Sequence, residues 1–304
     1  MVDLQELIAK AVPGLGRLPD PRAPRNLPPG RVVHVPGHGE LFCRDSGGAG
    51  QAVLLLHGWL VTADMNWFRA YQDLIDAGYR VVALDHRGHG RGLRRPEPFR
   101  LSDCAGDAAA LVEELGCGPV LAVGYSMGGP IAQLLARDHP DLVCGLVLCA
   151  TSLHWKGRRE SRMWKGMGLV QVGINIFPHL FWKIGVHAGQ LRPTPVSSWL
   201  VSELSRGDAR DLAEAGRELG RYDGTEGIER VEAPVAVIVT ARDEDVPPRR
   251  QRRLADAHGA PAFEVDGQHL AVTTNPDRFN PVLLTALGNV ADRAGRCAPT
   301  ATPA

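Results

Sequence analysis

The segment that most restricts the fold is Val120-Leu121-Ala122-Val123-Gly124-Tyr125-Ser126-Met127-Gly128-Gly129. Its first four residues form an unalternated apolar run, which suits a strand buried on both faces of a sheet. Glycines then stand two residues before and two after the serine. A strand that turns at once into a helix brings backbone too close for side chains beside the serine. The same sharp turn lifts the hydroxyl into the open. An ordinary glycine-rich turn would account for the glycines, but not for the strand before them or for Ile131, Leu134 and Leu135 at helical spacing after them.

Similar apolar runs recur at 52–56, 81–84, 146–149, 235–239 and 262–265, too short for helices and without the alternation of a half-buried strand. Two strand-like runs, 31–35 and 40–44, flank Pro36-Gly37-His38-Gly39 and predict an opening antiparallel hairpin. Helical patterns separate the later runs. One is 102–115, with Ser102 as its N-cap and Asp103 and Asp107 as a solvated charge cluster near its start. Strand-helix alternation predicts an α/β fold with a doubly wound, mostly parallel eight-stranded sheet. The interval 152–231 holds no clear strand and is too long for a loop, so it predicts a helical cap inserted after the sixth strand. The expected organisation is a proline-rich arm at 1–30, a core at 31–151 and 232–293, a cap at 152–231 and a tail at 294–304.

Thirty-four Lys and Arg balance thirty-four Asp and Glu, so no global field draws the chain toward nucleic acid or an anionic membrane, and a small-molecule partner is expected. No apolar run approaches the ~18 residues of a membrane span, and residues 1–30 lack the basic and apolar regions of a signal peptide. Six scattered cysteines without a C-x-x-C pair read as reduced, mostly buried thiols. These features together predict a cytoplasmic enzyme without stable membrane insertion.

A serine hydroxyl needs a base to take its proton. A strand-to-helix nucleophile turn puts that base, and an acid behind it, later in the chain. The run 235–239 leads into Thr240-Ala241-Arg242-Asp243-Glu244-Asp245-Val246-Pro247, and 262–265 leads into Asp266-Gly267-Gln268-His269-Leu270. Both loops fall at the carboxyl ends of parallel strands, where open α/β sheets build their sites. His269 therefore shares an edge with Ser126, and Asp243 and Asp245 are the available acids.

Over 31–293 the chain resembles the α/β-hydrolase superfamily, in its serine-nucleophile, esterase- and lipase-like branch. Leu56-His57-Gly58-Trp59 resembles its oxyanion loop, Asp85-His86-Arg87-Gly88-His89-Gly90 its D-x-R-G-H-G turn, Gly124 to Gly128 its nucleophile elbow, and Gly267-Gln268-His269-Leu270 its histidine loop. The resemblance implies a Ser126-His269-Asp243 triad, with Asp243 chosen by its spacing to Pro247 and Asp245 as the alternative. It implies an oxyanion hole from the backbone N–H groups of Trp59 and Met127, with no cofactor. It also implies that His57, His89 and Asp85 fix loops.

Metal binding finds no H-E-x-x-H spacing, the H-x-x-x-H of His34 and His38 spans the predicted Pro36-Gly37 turn and not a helix, and Gly88-His89-Gly90-Arg91-Gly92 lacks the Lys-Ser/Thr of a P-loop. Trp155, Met163, Trp164, Met167, Phe177, Phe181, Trp182 and Trp199 enrich the cap in aromatic and Met side chains, which pack the cap or line a pocket for an apolar acyl substrate. Lys156, Arg158, Arg159, Arg162 and Lys165 form a local basic cluster that reads as a solvated face. The leading expectation is hydrolysis of a small, largely apolar carboxylic ester through an acyl-enzyme. The alternatives are a C–C bond hydrolase, lactonase, perhydrolase or acyltransferase with the same triad, or a ligand receptor with little turnover. Serine at the elbow in place of a carboxylate argues against dehalogenase or epoxide hydrolase chemistry.

Overall fold

A computed structural model of the chain describes residues 19–156, 164–188, 194–225, 227 and 231–295. Eight strands form one sheet: β1 (Gly30–Val35), β2 (Gly39–Asp45), β3 (Ala52–Leu56), β4 (Arg80–Leu84), β5 (Val120–Tyr125), β6 (Val143–Cys149), β7 (Val235–Thr240) and β8 (Ala262–Val265). Their order is β1-β2-β4-β3-β5-β6-β7-β8. The hairpin β1-β2 and the pair β2-β4 are antiparallel, and every later pairing is parallel. Strand order reverses at β3, which pairs with β4 on one side and β5 on the other. A crevice for ligands opens at the carboxyl ends beside such a switch.

The central strands are buried on both sides, which explains their unalternated sequences. In β3, Leu54 and Leu56 belong to one hydrophobic cluster while Val53 and Leu55 belong to the other, and all four are fully buried. The first cluster is roofed by helices α3 (Leu101–Glu114), α4 (Gly128–Asp138) and α9 (Pro248–Ala257). The second is roofed by α1 (Ala63–Trp67), α2 (Tyr71–Asp76), α10 (Ala271–Thr274) and α11 (Pro276–Arg293). Truncating Leu55 to Ala would open a void between sheet and helices and cost about 2–5 kcal/mol.

Between β6 and β7 lie only helices among the described residues: α5 (Met167–Ile176), α6 (Pro178–Ala188), α7 (Pro195–Leu204) and α8 (Ala209–Arg221). They hold a small core of their own in which Ile174, Trp182, Trp199, Val201 and Leu212 meet Met65 of the main body. The aromatic residues expected there divide. Trp155, Trp164, Met167, Trp182 and Trp199 are buried, Phe181 is half-buried, and Phe177 is exposed. Met163, Arg158, Arg159 and Arg162 lie outside the described residues. Lys156 is paired with Asp223 at 2.5 Å, and Lys165 is exposed. Of the expected arm, 19–29 is described, and Arg22 N–H donates to the Pro195 carbonyl of α7 at 3.0 Å.

Three local expectations are corrected. Helix α3 begins at Leu101 with Arg100 at the cap position and no side-chain cap, so Ser102 does not cap it. Asp103 and Asp107 are not a solvated cluster. The Arg87 guanidinium donates to both, and Asp107, fully buried, also accepts from His38 at 2.8 Å. Those partners come from loops 16 to 69 residues away, beyond the reach of a local reading. Among the cysteines, Cys43, Cys104, Cys117 and Cys149 are free as expected, but Cys144 is disulfide-bonded. It is half-buried on β6, whereas Cys43, Cys104 and Cys149 are fully buried, and Cys297 lies outside the described residues.

Candidate active site

Ser126 follows β5 directly with φ of +51°, a left-handed conformation that a serine adopts only when its surroundings impose it. Its N–H donates to the Cys149 carbonyl at 2.9 Å, and its carbonyl accepts from Gly129 N–H at 3.0 Å and from the Thr151 hydroxyl at 2.8 Å. The flanking glycines are required by close approach. A Cβ on Gly124 would lie 2.3 Å from the Gly128 carbonyl oxygen, and one on Gly128 would lie 2.1 Å from that of Leu56. Replacing either would force the turn apart.

The structure brings Ser126, His269 and Asp243 together from the ends of three strands. Ser126 Oγ lies 3.1 Å from His269 Nε2, and His269 Nδ1 lies 2.8 Å from Asp243 Oδ2. With Nδ1–H donating to the carboxylate, Nε2 is left to accept from the serine hydroxyl. Asp243 is itself held from four further directions. Oδ1 accepts from the N–H groups of Asp245 and Val246 at 2.9 and 2.8 Å, while Oδ2 accepts from the Thr240 hydroxyl at 2.8 Å and Gln251 Nε2 at 3.2 Å. Asp245 is exposed, and its carboxylate makes no hydrogen bond to His269. Ligand atoms of Asp243, Asp245 and His269 come within 4.8 Å of one another. An ion there would have to displace the donors that saturate Asp243.

The loop after β3 reaches the serine from the other side: a Cβ on Gly58 would touch Ser126 Cβ at 3.4 Å. Gly58 N–H is taken by Asn66 Oδ1 at 3.0 Å, which anchors the loop. Met127, immediately after Ser126, occupies the N-cap position of α4. The Trp59 indole N–H donates to the Leu212 carbonyl of α8 at 2.8 Å, and its ring meets Trp164 edge-on at 5.4 Å.

Behind this loop lie His57, His86 and His89, all fully buried. His57 Nδ1 bonds the Gly58 carbonyl at 2.7 Å and Nε2 accepts from His86 N–H at 2.9 Å, so the ring ties two loops together. His89 Nδ1 bonds the Arg87 carbonyl at 3.0 Å. Burial pushes all three imidazoles toward neutrality, His86 down to about 3 and His89 to about 4. Asp85 accepts from the N–H groups of Ala63 and Arg91, and burial raises its carboxyl to about 6. None of these four groups bonds Ser126; His57, His89 and Asp85 bond loop backbone, whereas the His86 ring has no hydrogen-bond partner among the described residues.

Four supporting residues escape a motif reading. Thr240 and Gln251 hold Asp243, Asn66 holds the loop after β3, and the Tyr125 hydroxyl donates to the His269 carbonyl at 2.6 Å. Gln251 had a usable signal, since Gln251, Leu254 and Ala255 at helical spacing form the buried face of an otherwise charged helix.

A family model described as alpha/beta hydrolase fold matches residues 51–166. The chain is 38% identical over 110 residues to a non-heme haloperoxidase from Rhodococcus erythropolis, spanning 36% of this chain and only 39% of that protein. It is 27% identical over 269 residues to a non-heme chloroperoxidase from Streptomyces lividans, covering 80% of this chain and 94% of the relative. Among solved structures, the enol-lactonase from Burkholderia xenovorans LB400 superposes with a TM-score of 0.73 at 23% identity, over 85% of this chain and all of that one.

Proposed function

Because this chain belongs to the α/β-hydrolase superfamily of enzymes, we propose that it is a serine hydrolase that cleaves a small, largely apolar carboxylic ester through an acyl-enzyme. The observation that carries this reading is the unbroken relay from Ser126 Oγ through His269 to Asp243, at 3.1 and 2.8 Å. Ser126 attacks the carbonyl as His269 takes its proton. The backbone N–H groups of Trp59 and Met127 hold the oxyanion, and His269 then protonates the leaving alcohol. Asp243 orients the imidazole and stabilises its cationic form. Water, deprotonated by His269, releases the acyl group.

The preference for an apolar substrate rests on what meets the oxyanion loop. Trp59, Trp164 and Met167 converge on Gly216 of α8, where a Cβ would lie about 3.0 Å from all three side chains. Residues 152–231 act in this reading as a cap whose apolar side chains supply binding area and exclude water. The core is then 31–151 with 232–293. Among the described residues no helix is long and apolar enough to cross a membrane. A cytoplasmic location is weighed against the disulfide at Cys144, since disulfides persist in oxidising compartments. Six titratable thiols in freshly isolated, denatured protein favour the cytoplasm, and four favour an oxidising compartment.

Labelling by a fluorophosphonate probe tests the nucleophile. Wild type is expected to label and to turn over short-chain p-nitrophenyl esters, and Ser126→Ala to do neither while remaining folded. Full labelling of the variant ends this reading. A burst without steady turnover in the wild type would favour the receptor alternative.

A second reading is favoured by the two relatives named haloperoxidase and chloroperoxidase. In perhydrolysis, hydrogen peroxide attacks the same acyl-enzyme in place of water and gives a peracid. Peracid formation exceeding hydrolysis at millimolar peroxide would select it.

A further inference from the structure

A cavity of about 530 Å3 is lined by Ser152, Leu153, His154 and Thr225 together with Arg249, Arg250, Arg253 and Asp256 of α9. Two of its arginines, Arg249 and Arg253, are exposed. Arg249 and Arg253 are four residues apart on one helix face, where like charges repel. They also sit in the first two turns of α9, the positive end of the helix dipole, with no acidic residue in the first turn and no side-chain cap. Among the described residues, the carboxylates near Arg249 and Arg253 are engaged elsewhere or leave these two unpaired. Arg252 turns away to Glu264, Asp223 is taken by Lys156 and the Thr225 hydroxyl, and Arg249 and Arg253 form no ion pair among the described residues. His154, which also lines the cavity, has its Nδ1 buried without a hydrogen-bond partner among the described residues. Two unpaired guanidiniums held side by side against their mutual repulsion on the wall of a ligand-sized space form a receptor for negative charge.

The same helix carries Gln251, which donates to Asp243 Oδ2 at 3.2 Å and to the Val246 carbonyl at 2.7 Å and accepts from Thr240 N–H at 3.0 Å. The lining residue Ser152 directly follows Thr151, whose hydroxyl holds the Ser126 carbonyl. Both lining segments are thus continuous with the backbone that positions Asp243 and Ser126.

We infer that this cavity binds a small molecule bearing a phosphate or carboxylate group, gripped by Arg249 and Arg253 with Arg250 and His154 on its walls, and that occupancy is transmitted to Asp243 along α9 through Gln251. The forked guanidinium geometry matches the paired oxygens of either anion. The binding half stands on the cavity alone. The transmission half rests on the proposed triad.

Calorimetric titration with inorganic phosphate and, separately, citrate, at constant ionic strength set by chloride, tests the binding half. Saturable binding of at least one anion is expected. It should be unchanged in Ser126→Ala and weakened at least about tenfold in the double variant Arg249→Gln/Arg253→Gln, a loss of about 1.4 kcal/mol. Phosphate alone binding assigns a phosphorylated ligand, and citrate alone assigns a carboxylate. No heat up to about 10 mM of either anion, or equal binding by the double variant, overturns the site. For transmission, the binding anion should change kcat of p-nitrophenyl ester hydrolysis at least about twofold, with a half-effect concentration equal to the Kd. The double variant should keep its basal rate and ignore the anion. Saturation with kcat and KM unmoved overturns the transmission. If the wild type hydrolyses no ester, the ester reading fails while calorimetry still decides the site.

Discussion

Two groups of buried polar side chains share the carboxyl edge of the sheet and are treated in opposite ways. Asp243 accepts five hydrogen bonds, two from backbone amides and three from side chains. His86, beyond the end of β4, has neither ring nitrogen bonded, and His89 Nε2 is likewise without a partner among the described residues. Donors converging on one carboxylate fix its position to within a hydrogen-bond length, as a triad acid requires. Imidazoles denied acceptors are held neutral and fill space behind the loop after β3 much as apolar groups would. One group is built to orient a partner, and the other to keep charge out.

The comparison breaks most severely at Asp243. In Asp243→Asn the amide keeps the shape but puts an NH2 where an oxygen accepted, so either the backbone amides or His269, Thr240 and Gln251 face a donor. Turnover of one ester is expected to fall by about two to four orders of magnitude, and that of Asp245→Asn by less than about tenfold. Steady-state kinetics on both variants checks this. The reverse ranking would move the acid to Asp245 and leave the hydrogen-bond saturation of Asp243 without a catalytic purpose.

The next largest effect is the response of stability to acid. His57, His86, His89 and His258 have native pKa values pushed down by burial, the last to about 4, so below about pH 6.5 the unfolded chain binds protons that the native chain refuses. Their stabilisation is complete above that pH and is lost as pH falls. Asp85, raised to about 6, works in the opposite direction, since the native state takes up its proton first. Four groups against one leave a net loss, which we put at about 2 kcal/mol or more per pH unit between pH 6 and 4.5. Urea denaturation across that range measures it, and a flat profile would show the histidines titrating normally.

How far these regions were legible in the sequence follows the range of the forces involved. The run Val235 to Val239 reads as a doubly buried strand because its own residues demand it, and Gly124-Tyr125-Ser126-Met127-Gly128 announces its turn because the steric conflict lies within five residues. Ser126, His269 and Asp243 were nameable from motif and chain order, and the structure brings them within hydrogen-bond distance. What pairs at long range was not legible. Asp107 reads as a solvated helix-start charge until Arg87 and His38 are seen to bury it. Gln251 stands among four arginines, and its local composition hides the buried face that carries it to Asp243.

A finer contrast lies inside the histidine cluster. His57→Leu removes the acceptor of the His86 N–H and the donor to the Gly58 carbonyl, leaving two buried backbone groups unpaired. Such groups cost about 1–3 kcal/mol each, so a loss of about 2–6 kcal/mol is expected by urea denaturation at pH 7, with the loop after β3 loosened and kcat lowered alongside.

His86→Leu is expected to have the smallest effect, because the backbone N–H of residue 86 still reaches His57 Nε2 and no ring hydrogen bond is lost. The side chains are similar in volume, and the variant replaces a ring whose N–H has no acceptor by one with no polar atom, which removes a desolvation cost. The ring also packs against His57 at a centroid distance of 4.2 Å, and losing that contact offsets part of the gain. The two terms leave stability at pH 7 within about 1 kcal/mol of the wild type. The acid slope should nonetheless shrink by one proton, about 1.4 kcal/mol per pH unit, since one imidazole no longer titrates on unfolding. A loss of several kcal/mol at pH 7 with an unchanged slope would mean that the His86 ring makes a polar interaction essential to the fold, and that the contrast with Asp243 is one of partner identity, not of satisfaction.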